Sequence, residues 1–304
     1  MLDRRELLTT AVVGVLGSLA LPRRGRAQAA TVDLGGGAFL LTAGRTNVLA
    51  RSTPDGLVVV DSGAPGLGDR VATALGRVAP GSRVQTLYNT HWHEENTGGN
   101  EILGSGGATI LAHENTRLWM ATPTWMPEQD RYRPVRPAAA VPTETFHAEG
   151  SMLAGDERVD YGYLVEAHTS GDIFVFFRDA NVLAVGDAVS PARDPELDWF
   201  TGAWIGGRVD AMDRLLELSD EETRIVPGFG PVLRRAELQA ERDVMAEIYD
   251  RTVERVRRGD SPEDMLAGGV LDGLSRTWTD PHAFVYAVHK GLWAHHNKLN
   301  ADVV

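Results

Sequence analysis

Short apolar runs, each ended by glycine or by polar residues, recur along the chain from Ala38 onward. Runs of this length and composition predict buried strands. The predicted strands are AFLLTAG, NVLARST, GLVVVDSG, VQTLYNT, YGYLVEAH, DIFVFFR and NVLAVGD, with hairpin turns at Gly44-Arg45 and at Asp179-Ala180. Segments with a helical period lie between and after the strands, at 66–79, 206–218, 234–258 and from Ser261 into the tail. This alternation predicts a layered α/β fold in which helices cover sheets.

The segment 121–145 departs from this pattern. It carries five prolines and the bulky apolar residues Trp125 and Met126, with neither a helical nor a strand period. Two interpretations stay open: a solvated surface crossing, or a lid or binding loop over a site. Trp125, Trp199 and Trp204 are candidates for the wall of a substrate cleft, because apolar side chains commonly line such clefts.

The first 29 residues predict a targeting segment. Arg4 and Arg5 precede the apolar run Leu7–Leu21, which is shorter than the about 20 residues that span a bilayer. The run leads to Ala27-Gln28-Ala29, which is typical of a cleavage site. We expect 1–29 to be an export signal of the twin-arginine kind, with an ordinary secretory leader or an uncleaved anchor as alternatives. The mature protein is then periplasmic or secreted, with no stable membrane span.

Composition and charge restrict the chemistry and the partners. The chain of 304 residues has no cysteine, so any metal must be held by imidazole and carboxylate groups. The formal net charge is −12, and it becomes −15 when the five arginines and two acidic residues of 1–29 are removed. Such a charge argues against nucleic acid and anionic membranes as partners and leaves small molecules. The pattern points to no particular oligomeric state.

Residues that can bind a metal follow several predicted strands. His91 and His93 are two positions apart, so in extended backbone both imidazoles project the same way and can hold one ion. His168 follows the strand YGYLVEA and is a candidate third ligand, and Asp187 follows NVLAV with a carboxylate. Three histidines with one open position are typical of catalytic zinc sites, in which the metal activates water.

Four segments in this order resemble the metallo-β-lactamase superfamily: NTHWHEENTGGN, EAHTSGD, VLAVGDAVS and VPGFGPV. The signature of that family runs H-x-H-x-D-H, then a third histidine, then Gly-Asp and then Gly-His-Gly. The similarity covers about residues 46–232 and includes VVVDSG as an early strand. It implies an αββα sandwich with the metals at one edge between the sheets. The predicted domain spans 30–304, with helical C-terminal elements.

The sequence departs from this signature at the second metal position, whereas the first-metal histidines are all present. Glu95 and Asn96 stand where the family has Asp-His, and Phe229 stands where it has the histidine of Gly-His-Gly. Only Asp187, which bridges the metals in the family, remains of the second set. Phenylalanine has no donor atom, and an asparagine oxygen is a weak zinc ligand. The resemblance therefore implies one zinc ion per chain.

Two hypotheses follow. In the first, the protein hydrolyses an ester, thioester or related acyl bond, as the hydroxyacylglutathione hydrolases and periplasmic relatives with this aspartate imply. Asp187 is then the fourth zinc ligand or the group that orients water, and Glu95 is the base. In the second, the fold serves a non-catalytic or weakly metallated binding protein.

The sequence alone also predicts that Glu95→Asp, Asn96→His and Phe229→His together rebuild the second metal site.

Overall fold

The computed structural model describes residues 30–126 and 130–299. The predicted export signal at 1–29 lies outside the described residues, so export stays a prediction. Across the two described ranges, no helix has both the length and the apolar character needed to cross a membrane.

Strands dominate the first two thirds of the described chain, and helices dominate the remainder. In chain order the strands are β1 Ala30–Gly35, β2 Ala38–Ala43, β3 Thr46–Thr53, β4 Gly56–Val60, β5 Val84–Tyr88, β6 Thr109–His113, β7 Thr124–Met126, β8 Arg131–Arg133, β9 Glu144–Phe146, β10 Glu149–Ala154, β11 Glu157–Tyr163, β12 Ile173–Phe177, β13 Val182–Gly186 and β14 Arg224–Pro227. The helices are α1 Gly68–Val78, α2 Glu94–Thr97, α3 Asn100–Ser105, α4 Glu114–Ala121, α5 Ile205–Leu218, α6 Arg235–Arg258, α7 Pro262–Ala267 and α8 Pro281–Leu299.

The strands form two large sheets and one small one. The first sheet has the order β1-β2-β3-β4-β5-β6-β9, and its pairing changes from antiparallel to parallel after β4. The second sheet has the order β10-β11-β12-β13-β14, and its β13 and β14 pair in parallel. Strands β7 and β8 form a separate antiparallel hairpin, which occupies part of the proline-rich segment.

The two large sheets pack face to face because their strands direct alternate side chains into two different cores. On β4, Val58 lies in the core between the sheets, whereas Val59 packs with α1 on the outer face. On β12, Val175 lies in the same central core, whereas Phe176 packs with α5, α6 and α8. The layers therefore run helix, sheet, sheet, helix. This order confirms the predicted αββα sandwich.

A buried ion pair joins the two sheets. Arg51 on β3 donates from Nε to Oε2 of Glu157 on β11 at 2.7 Å, and Glu157 is fully buried. The other oxygen of Glu157 accepts the backbone N–H of Asp179, in the turn between β12 and β13, at 2.8 Å. The pair therefore fixes the position of one sheet relative to the other.

Candidate metal centre

Three histidines meet at one edge of the sandwich. His91 and His93 follow β5, and His93 directly precedes α2. His168 lies in the loop between β11 and β12. The backbone N–H of Ile173 donates to the carbonyl oxygen of Thr90 at 2.8 Å, across the two sheets. This bond holds the loop after β5 against the start of β12, and so brings His91 close to His168.

The three rings form a compact, buried cluster. Their centroids are 4.9 Å apart for His91 and His93, 4.7 Å for His91 and His168, and 4.7 Å for His93 and His168. One nitrogen of each ring lies within 4.8 Å of a nitrogen of the other two. All three side chains are buried. A single metal ion can therefore contact all three residues.

The hydrogen bonds of His91 direct one of its nitrogens toward this centre. Its Nδ1 lies 3.0 Å from Oγ1 of Thr90, and that hydroxyl donates its own hydrogen to Asp61 Oδ2 at 2.7 Å. Thr90 therefore accepts the Nδ1 hydrogen of His91. The Nε2 atom is buried and has no hydrogen-bond partner in the part of the chain that the structure describes.

His93 and His168 also present unpartnered nitrogens. Nε2 of His93 lies 3.2 Å from Oδ2 of Asp198, which leaves Nδ1 buried without a partner. His168 has Nδ1 3.6 Å from Oδ1 of Asp172, and neither of its nitrogens has a hydrogen bond to a described residue. Carboxylates behind ligating histidines fix the tautomer and raise the basicity of the ligand nitrogen. The donor set therefore fits zinc.

The three histidines differ in the direction in which their pKa values are shifted. Burial, together with the other histidines, holds the pKa of His91 and of His168 well below the usual value, so both rings are neutral. Burial also lowers the pKa of His93, but its hydrogen bond to Asp198 and the charges of nearby carboxylates outweigh this and raise it to about 9. Two rings are thus ready to bind a cation, and the third must first lose a proton.

The positions that correspond to the second metal site lie beside this cluster. Oδ2 of Asp187 is 4.0 Å from Nε2 of His91. Asp187 and Asn96 both approach Gly228, where a Cβ atom would lie 2.8 Å from Nδ2 of Asn96. Phe229 is the next residue along the chain. The structure therefore places Asn96 close to Asp187 and Phe229 one residue beyond Gly228, whereas Glu95 lies with His93.

Asp61, at the end of β4, organises the same region from behind. It accepts hydrogen bonds from the backbone N–H of Thr90 at 2.8 Å and from Nδ2 of Asn96 at 3.0 Å. Burial raises the pKa of Asp61 to about 7, in spite of these bonds. The amide of Asn96 thus serves as a hydrogen-bond donor to Asp61.

The loop after β13 supplies polar groups that the sequence motifs do not predict. Glu196 groups with Glu95 and His93, with ligand atoms within 4.8 Å of one another, and burial raises its pKa. Asp198 holds His93, and Arg193 donates from Nη2 to Oδ2 of Asp187. The available signal was the charged run ARDPELD, which begins five residues after the Gly-Asp motif.

An open cavity of about 430 Å³ reaches His93. Trp125 from the β7–β8 hairpin, Trp199 from the loop after β13 and Tyr286 from α8 all line it. The hairpin therefore forms a wall of the cavity, as the binding-loop interpretation predicts. The remaining aromatic lining comes from Trp92, Phe200 and Phe284, and the acidic lining from Asp194, Glu196, Asp198 and Asp280.

Trp204, predicted with the other two tryptophans as a cleft residue, does not line this cavity. Its ring stacks on His295 of α8 with centroids 3.6 Å apart, and it meets Tyr249 of α6 edge-on at 5.8 Å. Trp204 precedes α5 directly, so its side chain fills the junction of three helices. We therefore assign it to packing.

A second group of possible ligands, formed by His113, Glu114 and His147, has a structural explanation. Nε2 of His113 donates to the backbone oxygen of His147 at 3.0 Å, and Nδ1 accepts the N–H of Asn115 at 3.2 Å. Both ring nitrogens are occupied, and His113 caps α4. This group therefore does not offer the donors that a metal needs.

Comparisons with known proteins agree with this geometry. The family model described as the metallo-beta-lactamase superfamily matches residues 41–240. No curated protein matches the chain. A solved metallo-beta-lactamase from Pontibacter korlensis is 18% identical with a TM-score of 0.59, and the alignment covers 72% of this chain and 99% of that one. The sec-alkylsulfatase Pisa1 from Pseudomonas sp. is 14% identical with a TM-score of 0.65, over 91% of this chain and 52% of that one. The structural likenesses show the fold, and the family match, which spans most of the sequence, shows that the chain belongs to the metallo-beta-lactamase superfamily.

Proposed function

We propose that the protein is a zinc-dependent hydrolase that binds one zinc ion per chain and cleaves an ester, thioester or related acyl bond in a small molecule. The observation that carries this proposal is the convergence of three buried imidazoles with unpartnered nitrogens beside an apolar cavity. Zinc at such a site supplies Lewis-acid chemistry, since it polarises a carbonyl group and activates water.

The chain's own carboxylates then handle the proton. Asp187 lies next to His91 and is anchored by Arg193, so it is placed to orient a water molecule at the metal centre. Glu95 lies with Glu196 beside His93, and we assign it the acceptance of the proton that this water loses. A general base must be within hydrogen-bond reach of the reacting group, and these carboxylates lie beside His93, one of the three clustered histidines.

The cavity supports a substrate with an apolar portion. Trp125, Trp199 and Tyr286 can cover an acyl or alkyl chain, while the acidic lining disfavours an anionic polymer. Trp92, which lies between two of the metal-binding histidines in sequence, also contributes to this lining. The reacting bond would therefore lie at the His93 end and the apolar portion toward α8.

Sulfate ester hydrolysis is a second candidate. The likeness to the sec-alkylsulfatase Pisa1 covers 91% of this chain, a share that cannot be reached without the C-terminal helices beyond residue 240. One of these helices, α8, lines the cavity. An alkyl sulfate would place its chain against the same aromatic wall.

A substrate panel with zinc supplied distinguishes these candidates. The panel contains aryl and alkyl esters, thioesters, lactones, β-lactams and secondary alkyl sulfates. We expect turnover that His168→Ala abolishes and that His147→Ala, a substitution of an exposed histidine outside the metal centre, leaves unchanged. A protein that binds one zinc ion and turns over none of these compounds would support the binding-protein hypothesis instead. Turnover that survives His168→Ala would contradict the proposed metal chemistry.

We also propose that the chain is exported, on the evidence of the paired arginines and apolar run in 1–29. Cell fractionation of the producing organism tests this, with Arg4→Lys and Arg5→Lys together as the variant. Export that this double substitution stops indicates the twin-arginine route. A protein found only in the cytoplasm contradicts the proposal.

A further inference from the structure

Arg193 pairs with Asp187, the residue that bridges the two metals in the family signature. Its Nη2 donates to Oδ2 of Asp187, the same oxygen that lies 4.0 Å from Nε2 of His91. Its guanidinium carbon lies 5.3 Å from the centroid of Phe229, the residue that replaces a metal-binding histidine. The guanidinium thus lies between the bridging carboxylate and the position of the missing ligand.

The environment of Asp187 requires a cation. The Asp187 side chain is 2% exposed, and a buried carboxylate without a counter-charge is strongly destabilising. Glu196 is a further carboxylate of this loop; burial raises its pKa, and the charge of Arg193 is among the smaller effects that oppose this rise. The guanidinium of Arg193 supplies a positive charge that offsets the negative charge of these carboxylates.

Backbone contacts hold Arg193 in place. Its carbonyl oxygen accepts a hydrogen bond from Nη2 of Arg276, and the same nitrogen donates to the carbonyl oxygen of Ser190 at 2.6 Å. The aromatic face of Phe229 also attracts the guanidinium, and a second guanidinium, that of Arg45, lies 5.0 Å from the same ring. Arg45 therefore provides a control for Arg193, since both guanidinium groups contact the ring of Phe229.

We propose that Arg193 is a built-in cation that takes the place of a second metal ion at Asp187, and that it limits the site to one zinc ion. This inference rests on the proposed zinc-binding function. It changes the expectation from the sequence alone, because restoring three ligands leaves Asp187 paired with a guanidinium. Nη2 of Arg193 already occupies Oδ2 of Asp187, so a second zinc ion there would have to displace a guanidinium and would be repelled by its charge. Rebuilding the second site therefore requires a fourth substitution, at position 193.

Zinc equivalents per chain, measured by elemental analysis after equilibrium dialysis, test the inference. The starting variant carries Glu95→Asp, Asn96→His and Phe229→His. We expect it to bind one zinc ion, as the unmodified protein does, and to bind two when Arg193→Ala is added. Adding Arg193→Lys, which keeps the positive charge, should leave one zinc ion. Adding Arg45→Ala in place of the change at 193 should also leave one.

Two results would overturn the inference: two zinc ions in the variant that retains Arg193, or one zinc ion after Arg193→Ala. Circular dichroism establishes that each variant folds. If the fourfold variant does not, the comparison is repeated with Glu95 unchanged. Unmodified protein that binds no zinc refutes the proposed function, whereas the Arg193 inference is judged by the difference between variants that share the same restored ligands.

Discussion

Zinc binding should release a proton from His93, and the amount of proton released can be counted. Burial alone lowers the pKa of His93, but the hydrogen bond to Asp198 and the charges of nearby carboxylates raise it to about 9. This raised pKa stabilises the metal-free protein fully below the unfolded value of 6.5, and the stabilisation is lost as the pH rises through 9. Zinc must displace the same proton, so the affinity of the protein for zinc should rise with pH until about pH 9.

The magnitude follows from the pH interval. Between pH 7 and pH 9 one displaced proton raises zinc affinity about 50-fold, or ~2.3 kcal/mol, because at a pKa of about 9 half of the His93 rings are still protonated at pH 9. His91 and His168 add nothing in this range, because their pKa values lie well below 6.5. In Asp198→Asn the carboxylate charge is absent and burial dominates, so the pKa of His93 should fall and the variant should release almost no proton.

Isothermal titration calorimetry at about pH 7.5, in buffers of different ionisation enthalpy, measures the proton count. We expect close to one proton per zinc for the unmodified protein and close to none for Asp198→Asn. At about pH 9.5, where proton competition has ended, the variant should bind zinc 10- to 100-fold more weakly because the carboxylate behind His93 is lost. Glu263→Gln, which alters an exposed carboxylate paired with His282, is the matched control and should change neither quantity. An Asp198→Asn protein that still releases one proton would refute the reasoning.

Three further predictions concern stability and the cavity. Arg51→Ala leaves its fully buried carboxylate partner unpaired and should lower the free energy of unfolding by about 3–5 kcal/mol in urea titrations. Arg158→Ala removes an exposed guanidinium from Asp160, which keeps Arg178 as a partner, and should cost less than about 1 kcal/mol. Equal losses would contradict this. Burial raises the pKa of Asp61 to about 7, so the free energy of unfolding of the metal-free protein should fall by up to ~4 kcal/mol as the pH rises from about 4 to 7. In Asp61→Asn the free energy of unfolding should no longer depend on pH in this way. Trp125→Ala should raise KM for an apolar substrate and leave the melting temperature unchanged. Trp204→Ala should lower the melting temperature and leave KM unchanged. Identical effects of the two substitutions would contradict the assignment of Trp125 to the cavity wall and of Trp204 to packing.

Elements with a strong local period could be predicted from the sequence. The helices expected at 206–218 and 234–258 are Ile205–Leu218 and Arg235–Arg258, and the turn at Asp179-Ala180 joins an antiparallel pair. The strand expected through YGYLVEAH instead ends at Tyr163. Beyond it, the side chain of Asp172 accepts the backbone N–H groups of His168 and Thr169, at 2.5 and 2.7 Å. Such local bonds compete with strand pairing, and an apolar pattern does not reveal them.

Some residues of the candidate site could likewise be predicted from the sequence, and others could not. His91 and His93 could be assigned because two residues in extended backbone share a face, which is a local property. Asp198 and Arg193 could not, because they lie in an irregular loop whose path depends on contacts with distant parts of the chain. Their roles as hydrogen-bond acceptor and fixed cation exist only in the folded arrangement.

The distant contacts that shape this loop come partly from outside the family match. Arg208 on α5 is fully buried and donates to Oγ of Ser190 at 2.7 Å and to the backbone oxygen of Glu196 at 3.2 Å. Arg276 binds the backbone oxygens of Ser190 and Arg193, and it lies beyond residues 41–240. The C-terminal segment therefore contributes twice: α8 lines the open cavity, and Arg276 holds the loop that carries Arg193. A site that has lost metal ligands can remain ordered in this way, since guanidinium groups supply the charge and the hydrogen bonds that a second ion would otherwise provide.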